Sequence, residues 1–267
     1  MYPFLLLLVA YVIGSVPSGL IVGRVFFNTD LRDYGSKNIG ATNAYRVLGA
    51  PAGLCVLIAD VGKGVLGLYL GQTAGNIYDP ALTIYCMIMG GLLALIGHSA
   101  SVFLHFKGGK GVATGLGIIL YLAPVETAIV FFVWCVIVGL TRLVSLGSVA
   151  AALLVPLTMW YFKEPWPVFI FGTVAVLIVI VRHKDNLIRL SQGKELKVER
   201  IEKKEVYGRS SNRLNSVDIR KKSCIIDYVQ AGGHGEDYLR QCTGTYSEIA
   251  AGYGDATDIG SDAGESF

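Results

Sequence analysis

Charge is scarce in this chain. Only 16% of its 267 residues are Asp, Glu, Lys or Arg, while 53% are hydrophobic; an ordinary soluble domain carries about 25% charged residues. Cysteine is sparse and unpatterned. Cys55, Cys86 and Cys135 lie inside apolar runs, and Cys224 and Cys242 lie in the polar C-terminal part. No C-x-x-C or Cys/His spacing occurs, so free thiols in a reducing compartment are expected, with no metal and no disulfide framework. Several catalytic signatures are missing as well. None of His98, His105, His183 and His234 has Asp five positions later, and no G-x-S-x-G nucleophile elbow occurs. The Walker A spacing is absent. The apolar runs hold a single aspartate, Asp60, too few for an enzyme that binds metal through aspartates on its helices. Only Met1, Tyr2 and Pro3 precede the first run, with no basic n-region or cleavage site, so that run is read as a retained span.

What the chain has instead is long apolar runs, at about Phe4–Val22, Ala50–Leu70, Ala81–Leu104, Val112–Ala123, Val125–Leu140, Val144–Tyr161 and Trp166–Val181. A straight crossing needs about 20 residues. The fourth run is therefore short, and Pro124 divides it from the fifth, so the two read as separate helices or as one kinked helix. Charge parity favours seven. With seven spans one side collects Arg24, Arg32, Lys37, Arg46, Lys107, Lys110, Arg142 and the basic start of the tail, and the other holds only Lys163. The positive-inside rule then puts the N-terminus outside and the C-terminus in the cytoplasm. The expected fold is an all-α integral membrane protein of seven transmembrane helices over residues 1–204, whose polar inner-face loops form the site. Residues 205–267, rich in Gly, Ser and Asp, read as a disordered extension with too little apolar surface to order.

Three polar, glycine-rich, basic stretches sit where spans end, all on that inner face. Gly35–Asn43 interleaves Ser36, Asn38, Thr42 and Asn43 with Gly35 and Gly40 and is followed by Arg46. Phe106–Thr114 places Lys107 and Lys110 around Gly108, Gly109 and Gly111 at the start of a span. Helix N-terminal N–H groups beside lysines favour an anion. In Arg182–Leu190, His183, Asn186 and Arg189 recur every third residue, which a continuing helix puts on one face. Arg142, Ser145 and Ser148 form a similar set at the sixth span. Glycine, neutral hydrogen-bonders and cations together suit a phosphate-bearing ligand. Asp60 and Lys63 within span two read either as an internal ion pair or as ligand contacts. His98 reads as a site residue or a packing histidine. No convincing base accompanies the site, so it reads as binding, or as chemistry in which a substrate supplies the base.

These residues resemble a known family. Gly35–Asn43 with Arg46, Phe106–Thr114, and His183, Asn186, Arg189, Leu190, Gly193 and Glu195 resemble the three signature motifs of the bacterial acyl-phosphate:glycerol-3-phosphate acyltransferase (PlsY) family. Gly14–Gly19, Asp60–Gly64 and Thr141–Ser148 look like its secondary patterns, and the resemblance covers residues 1 to about 200. It implies a multi-pass enzyme of the bacterial plasma (inner) membrane. That enzyme moves a fatty acyl group from acyl phosphate to the 1-hydroxyl of sn-glycerol 3-phosphate, an early step of phospholipid biosynthesis, without cofactor or metal. It further implies that Ser36, Asn38, Gly40, Thr42, Asn43, Gly108, Gly109, Lys110 and Gly111 hold the acyl phosphate. Arg46, Lys107, Arg142, Ser145, His183 and Asn186 would hold glycerol 3-phosphate, with Lys107, His183 and Asn186 supporting substrate-assisted catalysis. Expected partners are the two substrates, the lipid bilayer and the soluble enzyme that forms acyl phosphate, and no nucleic acid. Family members end shortly after the third motif, so the extension has no counterpart. The competing class, a transporter of a phosphorylated solute, predicts polar residues reaching both faces and repeated halves; neither is visible.

Overall fold

The computed structural model describes residues 2–200, and these form helices and loops without a strand. The expected extension from residue 205 lies outside the described residues. Ten α-helices run in order: α1 Tyr2–Ser15, α2 Ser18–Phe27, α3 Ala41–Leu48, α4 Ala50–Tyr78, α5 Thr83–Ser99, α6 Val112–Leu122, α7 Pro124–Thr141, α8 Val144–Tyr161, α9 Trp166–Arg182 and α10 Lys184–Ser191.

Four helical segments are long and apolar enough to cross a membrane, and six if each of two bent pairs counts as one span. The first bent pair is α1 and α2, at 47°. The run Phe4–Val22 is therefore not one straight helix: Pro17 lacks an N–H and drives Val16 out of the helical region. The second pair is α9 and α10, bent by 58° at His183. The fourth apolar run becomes α6, whose 11 residues rise only about 16 Å, roughly half a bilayer core. Pro124 starts α7 as its first residue, where a missing N–H removes no helical bond, so the two-helix alternative is the one adopted.

The 29-residue α4 is the axis of the bundle and packs against α1, α3, α5 and α6. Small residues allow the close approach. Gly64, Gly67, Gly71 and Gly75 step along one face of α4, and a Cβ on Gly67 would lie 2.6 Å from the Ala94 Cβ and 2.8 Å from the Gly90 carbonyl oxygen of α5. Bilayer helices lack a hydrophobic drive towards each other, so such packing is what holds them together. Leu68, Leu95 and Ile118 fill the core beside this seam, and Val130, Val155, Met159 and Val176 fill a second one between α7, α8 and α9. Large apolar side chains such as Leu140, 82% exposed, cover the outside, as lipid contact requires.

Candidate active site

A cavity of about 520 Å³ opens between the two groups of helices. One end is polar and is lined by Ser36, Asn38, Thr42, Arg46, Lys110, Ser145, His183, Asn186 and Glu195. The other end is apolar, walled by Leu57, Leu116, Ile119, Phe131, Trp134, Val155 and Val176 from five different helices. A smaller polar cavity of about 270 Å³ adjoins it; Ser36, Asn38, Lys110 and Asn186 line both, and Arg182, Lys184 and Arg189 line the small one alone.

The loop before α3 is organised by Asn43, which is 1% exposed. Its Oδ1 accepts from the Ser36 N–H at 2.9 Å, and its Nδ2 lies 2.8–3.1 Å from the carbonyl oxygens of Leu31, Tyr34 and Asn38. The Asn38 Oδ1 accepts from the Gly40 N–H at 2.9 Å. The Asn43 amide and the Gly40 N–H thus shape the loop, and both residues also line the cavity. What the loop delivers is the start of α3, with Gly40, Ala41 and Thr42 on the cavity wall and no side-chain cap.

The second motif is built differently from the expected phosphate cradle. The Gly108 and Gly109 N–H groups donate to the Ser99 and His98 carbonyls at 3.1 and 2.9 Å, closing the C-terminus of α5. Their own carbonyls accept from the Arg182 guanidinium at 2.8 and 3.1 Å. A Cβ on Gly109 would collide with the His98 ring, so glycine is needed here for close packing. Neither Gly108 nor Gly109 lines either of these two cavities, and Lys107 is exposed on the loop outside both. Lys110 is the lysine that points inward, with its Nζ 2.5 Å from the Asn186 Oδ1. Burial lowers its pKa from 10.5 to about 8, with Glu195 opposing and Arg189 and Arg46 adding to the fall. Gly111 takes φ +82°, which glycine adopts freely, and starts α6 with no side-chain cap. The uncapped N-termini of α3 and α6 therefore both face the cavity, each equivalent to about half a positive charge.

Around the polar end, Ser145 Oγ and Asn186 Nδ2 donate to Glu195 Oε1 at 2.9 and 2.6 Å, and Arg189 Nε donates to Oε2 at 2.9 Å. Arg46 is 5% exposed, and burial pulls its pKa down; Glu195 works against that fall. Its Nε and Nη2 donate to the Lys197 and Leu196 carbonyls, both at 2.9 Å. His183, 2% exposed, sets its Nδ1 2.8 Å from the Val179 carbonyl. A carbonyl only accepts, so Nδ1 carries the proton and Nε2 is a bare acceptor. Arg142 stands apart: it lines neither cavity and meets the exposed Glu199 at 3.5 Å.

Deeper in, Lys63 Nζ lies 2.7 Å from Asp60 Oδ1 and also donates to the Val16 carbonyl, while Ser18 Oγ donates to Asp60 at 2.8 Å. Asp60 and Lys63 thus form an internal ion pair, and Asp60 with the buried His98 also reaches the cavity wall. Among the described residues no group of His, Cys, Asp and Glu has metal-site geometry.

Residues 4–193 match the family model described as glycerol-3-phosphate acyltransferase. The chain belongs to this family. The glycerol-3-phosphate acyltransferase of Fusobacterium nucleatum is 42% identical over 194 residues, covering 73% of this chain and 97% of the relative. Glycerol-3-phosphate acyltransferase 2 of Moorella thermoacetica is 44% identical over 194 residues, covering 73% and 96%. Among solved structures, the fold is similar to PlsY, an integral membrane glycerol 3-phosphate acyltransferase, in its glycerol 3-phosphate form. The TM-score is 0.67 at 33% identity, covering 74% of this chain and 96% of that one. The lysophosphatidic acid form gives 0.65 at 32% identity. Membership makes the protein an integral membrane acyltransferase of phospholipid synthesis and disfavours the transporter reading.

Arg189 and Glu195 hold the polar end together, yet sequence reasoning gave Glu195 no role. The only signal was its place at the end of the third motif; its partners Ser145 and Asn186 are 50 and 9 residues away.

Proposed function

We propose that the protein transfers a fatty acyl group from acyl phosphate to the 1-hydroxyl of sn-glycerol 3-phosphate, releasing 1-acyl-sn-glycerol 3-phosphate and inorganic phosphate. One observation carries this reading: a single cavity joins a cationic end, faced by two uncapped helix N-termini, to an apolar end walled by five helices. An acyl phosphate needs both ends at once, and glycerol 3-phosphate needs only the first. Relatives solved in glycerol 3-phosphate and lysophosphatidic acid forms support the acceptor and the product.

In this reading the acyl chain lies among Leu57, Ile119, Phe131 and Trp134. Its phosphate sits at the start of α6, against Ser36, Lys110 and the Gly111 backbone. Glycerol 3-phosphate takes Arg46, Ser145, His183 and Asn186. The acceptor's hydroxyl oxygen attacks the acyl carbonyl carbon, the bond from that carbon to the bridging oxygen breaks, and the proton leaves with the phosphate. His183 Nε2 accepts the hydroxyl hydrogen bond and aims it. Its Nδ1 faces a carbonyl where a base would need a carboxylate to stabilise the imidazolium, so His183 orients the acceptor while the donor's phosphate takes the proton. Lys110 and the helix termini stabilise negative charge on the leaving phosphate.

The reading includes seven crossings of a bacterial plasma membrane, with α6 as the short one, the N-terminus outside and the site facing the cytoplasm, where a soluble enzyme supplies acyl phosphate. Residues 1–204 are the catalytic membrane domain, and 205–267 are an extension that catalysis does not need. The test is purified protein in proteoliposomes with acyl phosphate and glycerol 3-phosphate, following lysophosphatidic acid. Product from acyl-CoA alone would overturn the donor assignment.

A further inference from the structure

Glu195 is a carboxylate with no task in the reaction above, yet it holds the best donors in the site. Its side chain is only 4% exposed, and Ser145, Asn186 and Arg189 all donate to it within 2.9 Å. Lys110 is tied to the same group through Asn186. The residues that follow occupy the remaining cation: both bonding nitrogens of Arg46 are spent on the Leu196 and Lys197 carbonyls. Val198 then lines the cavity and donates its N–H to the Arg142 carbonyl at 2.8 Å. While residues 195–197 hold them, the Ser145 hydroxyl proton, one Asn186 N–H and the Nε and Nη2 donors of Arg46 point at this segment and not at a phosphate.

Resting on the glycerol 3-phosphate reading, we propose that residues 195–199 form a displaceable strap. The Glu195 carboxylate stands in for the acceptor's phosphate, and glycerol 3-phosphate binds by expelling it. The chemistry of the exchange is balanced: one oxyanion with two acceptor oxygens gives way to another with three, so the cations are never left unpaired. Glu195 also has to leave on electrostatic grounds, because a carboxylate held beside an incoming dianion repels it. The strap's outer attachment is weak. Glu199 and Arg142 form a 3.5 Å pair with both side chains more than 60% exposed, and Leu196 is 39% exposed, so little apolar surface holds the segment down. The device keeps the cationic end filled until an acceptor arrives. It thereby makes glycerol 3-phosphate affinity the net of two competing anions.

The experiment uses the full chain in nanodiscs. Calorimetric titration with glycerol 3-phosphate reports binding, and hydrogen exchange by mass spectrometry reports the 193–200 peptide, including the Val198 amide. Saturating glycerol 3-phosphate is expected to speed exchange of that peptide at least several-fold, with inorganic phosphate acting likewise at higher concentration. Glu195→Gln, which keeps the shape but removes the competing charge, is expected to lower KM for glycerol 3-phosphate about 5- to 10-fold. Binding with unchanged or slower exchange overturns the strap and leaves the functional reading standing. Absence of binding overturns both. If Glu195→Gln does not fold, the wild-type exchange result still decides.

Discussion

Lys107 and Lys110 are three residues apart in one motif, and the structure gives them opposite fates, so exchanging each for methionine tests the site directly. Lys107 is exposed and lines neither cavity, whereas Lys110 lines both and bonds Asn186 through its ammonium group. Lys110→Met removes a charge-assisted hydrogen bond to phosphate, worth about 1.5–3 kcal/mol. It also removes a Coulomb attraction of about 2–4 kcal/mol at 4–8 Å with an effective dielectric of 20. The two overlap, and the free protein loses its Lys110–Asn186 bond as well. A net cost of about 3 kcal/mol is reasonable, which is roughly a 100-fold fall in kcat/KM. Lys107→Met should change kcat/KM less than about threefold, since exposed charges contribute little. The assay is lysophosphatidic acid formation by each variant in proteoliposomes, with yield of folded protein checked by size-exclusion chromatography. Equal losses in the two variants, or a larger loss at Lys107, would refute the inward placement of Lys110.

The same lysine makes pH a probe. With its pKa lowered to about 8, Lys110 is charged below that pH and neutral above it, so kcat/KM for acyl phosphate should fall as pH rises through about 8. Lys110→Arg should move that limb upward, and a wild-type profile flat to about pH 9.5 would count against the assignment. Asp60→Asn leaves the Lys63 ammonium buried without its partner; a loss of about 3 kcal/mol, read as a drop in Tm in detergent, is expected, and a loss under about 1 kcal/mol would contradict an internal ion pair. Deleting residues 208–267 should leave turnover within about twofold, and an inserted but inactive product would show that the extension belongs to the enzyme.

The helices were largely legible. Hydrophobic runs anticipated α7, α8 and α9 to within a residue or two, because a lipid-facing helix leaves an uninterrupted apolar signal. Pro124 marked the α6–α7 boundary. The break after Ser15 was carried by Pro17, which a hydropathy reading passes over. The eight-residue α3 was not foreseen, as it is too short to show a period and starts inside a polar motif. Within the site, residue types indicated an anion, and Ser36, Arg46, Lys110, Ser145, His183 and Asn186 do converge. Which members face inward was not readable. Gly108 and Gly109 look like a phosphate cradle in sequence, but their N–H groups close α5 and their missing side chains admit the His98 ring. Asn43 looks like a ligand donor and is the hub of its own loop. Such assignments depend on how each loop folds back on residues 5 to 12 positions away, which spacing alone does not encode.

In the proposed reaction one cavity brings an acyl phosphate and glycerol 3-phosphate together for attack at the acyl carbon. Reconstituted protein supplied with glycerol 3-phosphate and acyl phosphate carrying ¹⁸O in the bridging oxygen tests it most directly, by mass spectrometry of both products. Attack at the acyl carbon gives unlabelled lysophosphatidic acid and inorganic phosphate that retains the label. No lysophosphatidic acid from this donor, or ¹⁸O missing from the released phosphate, would contradict it.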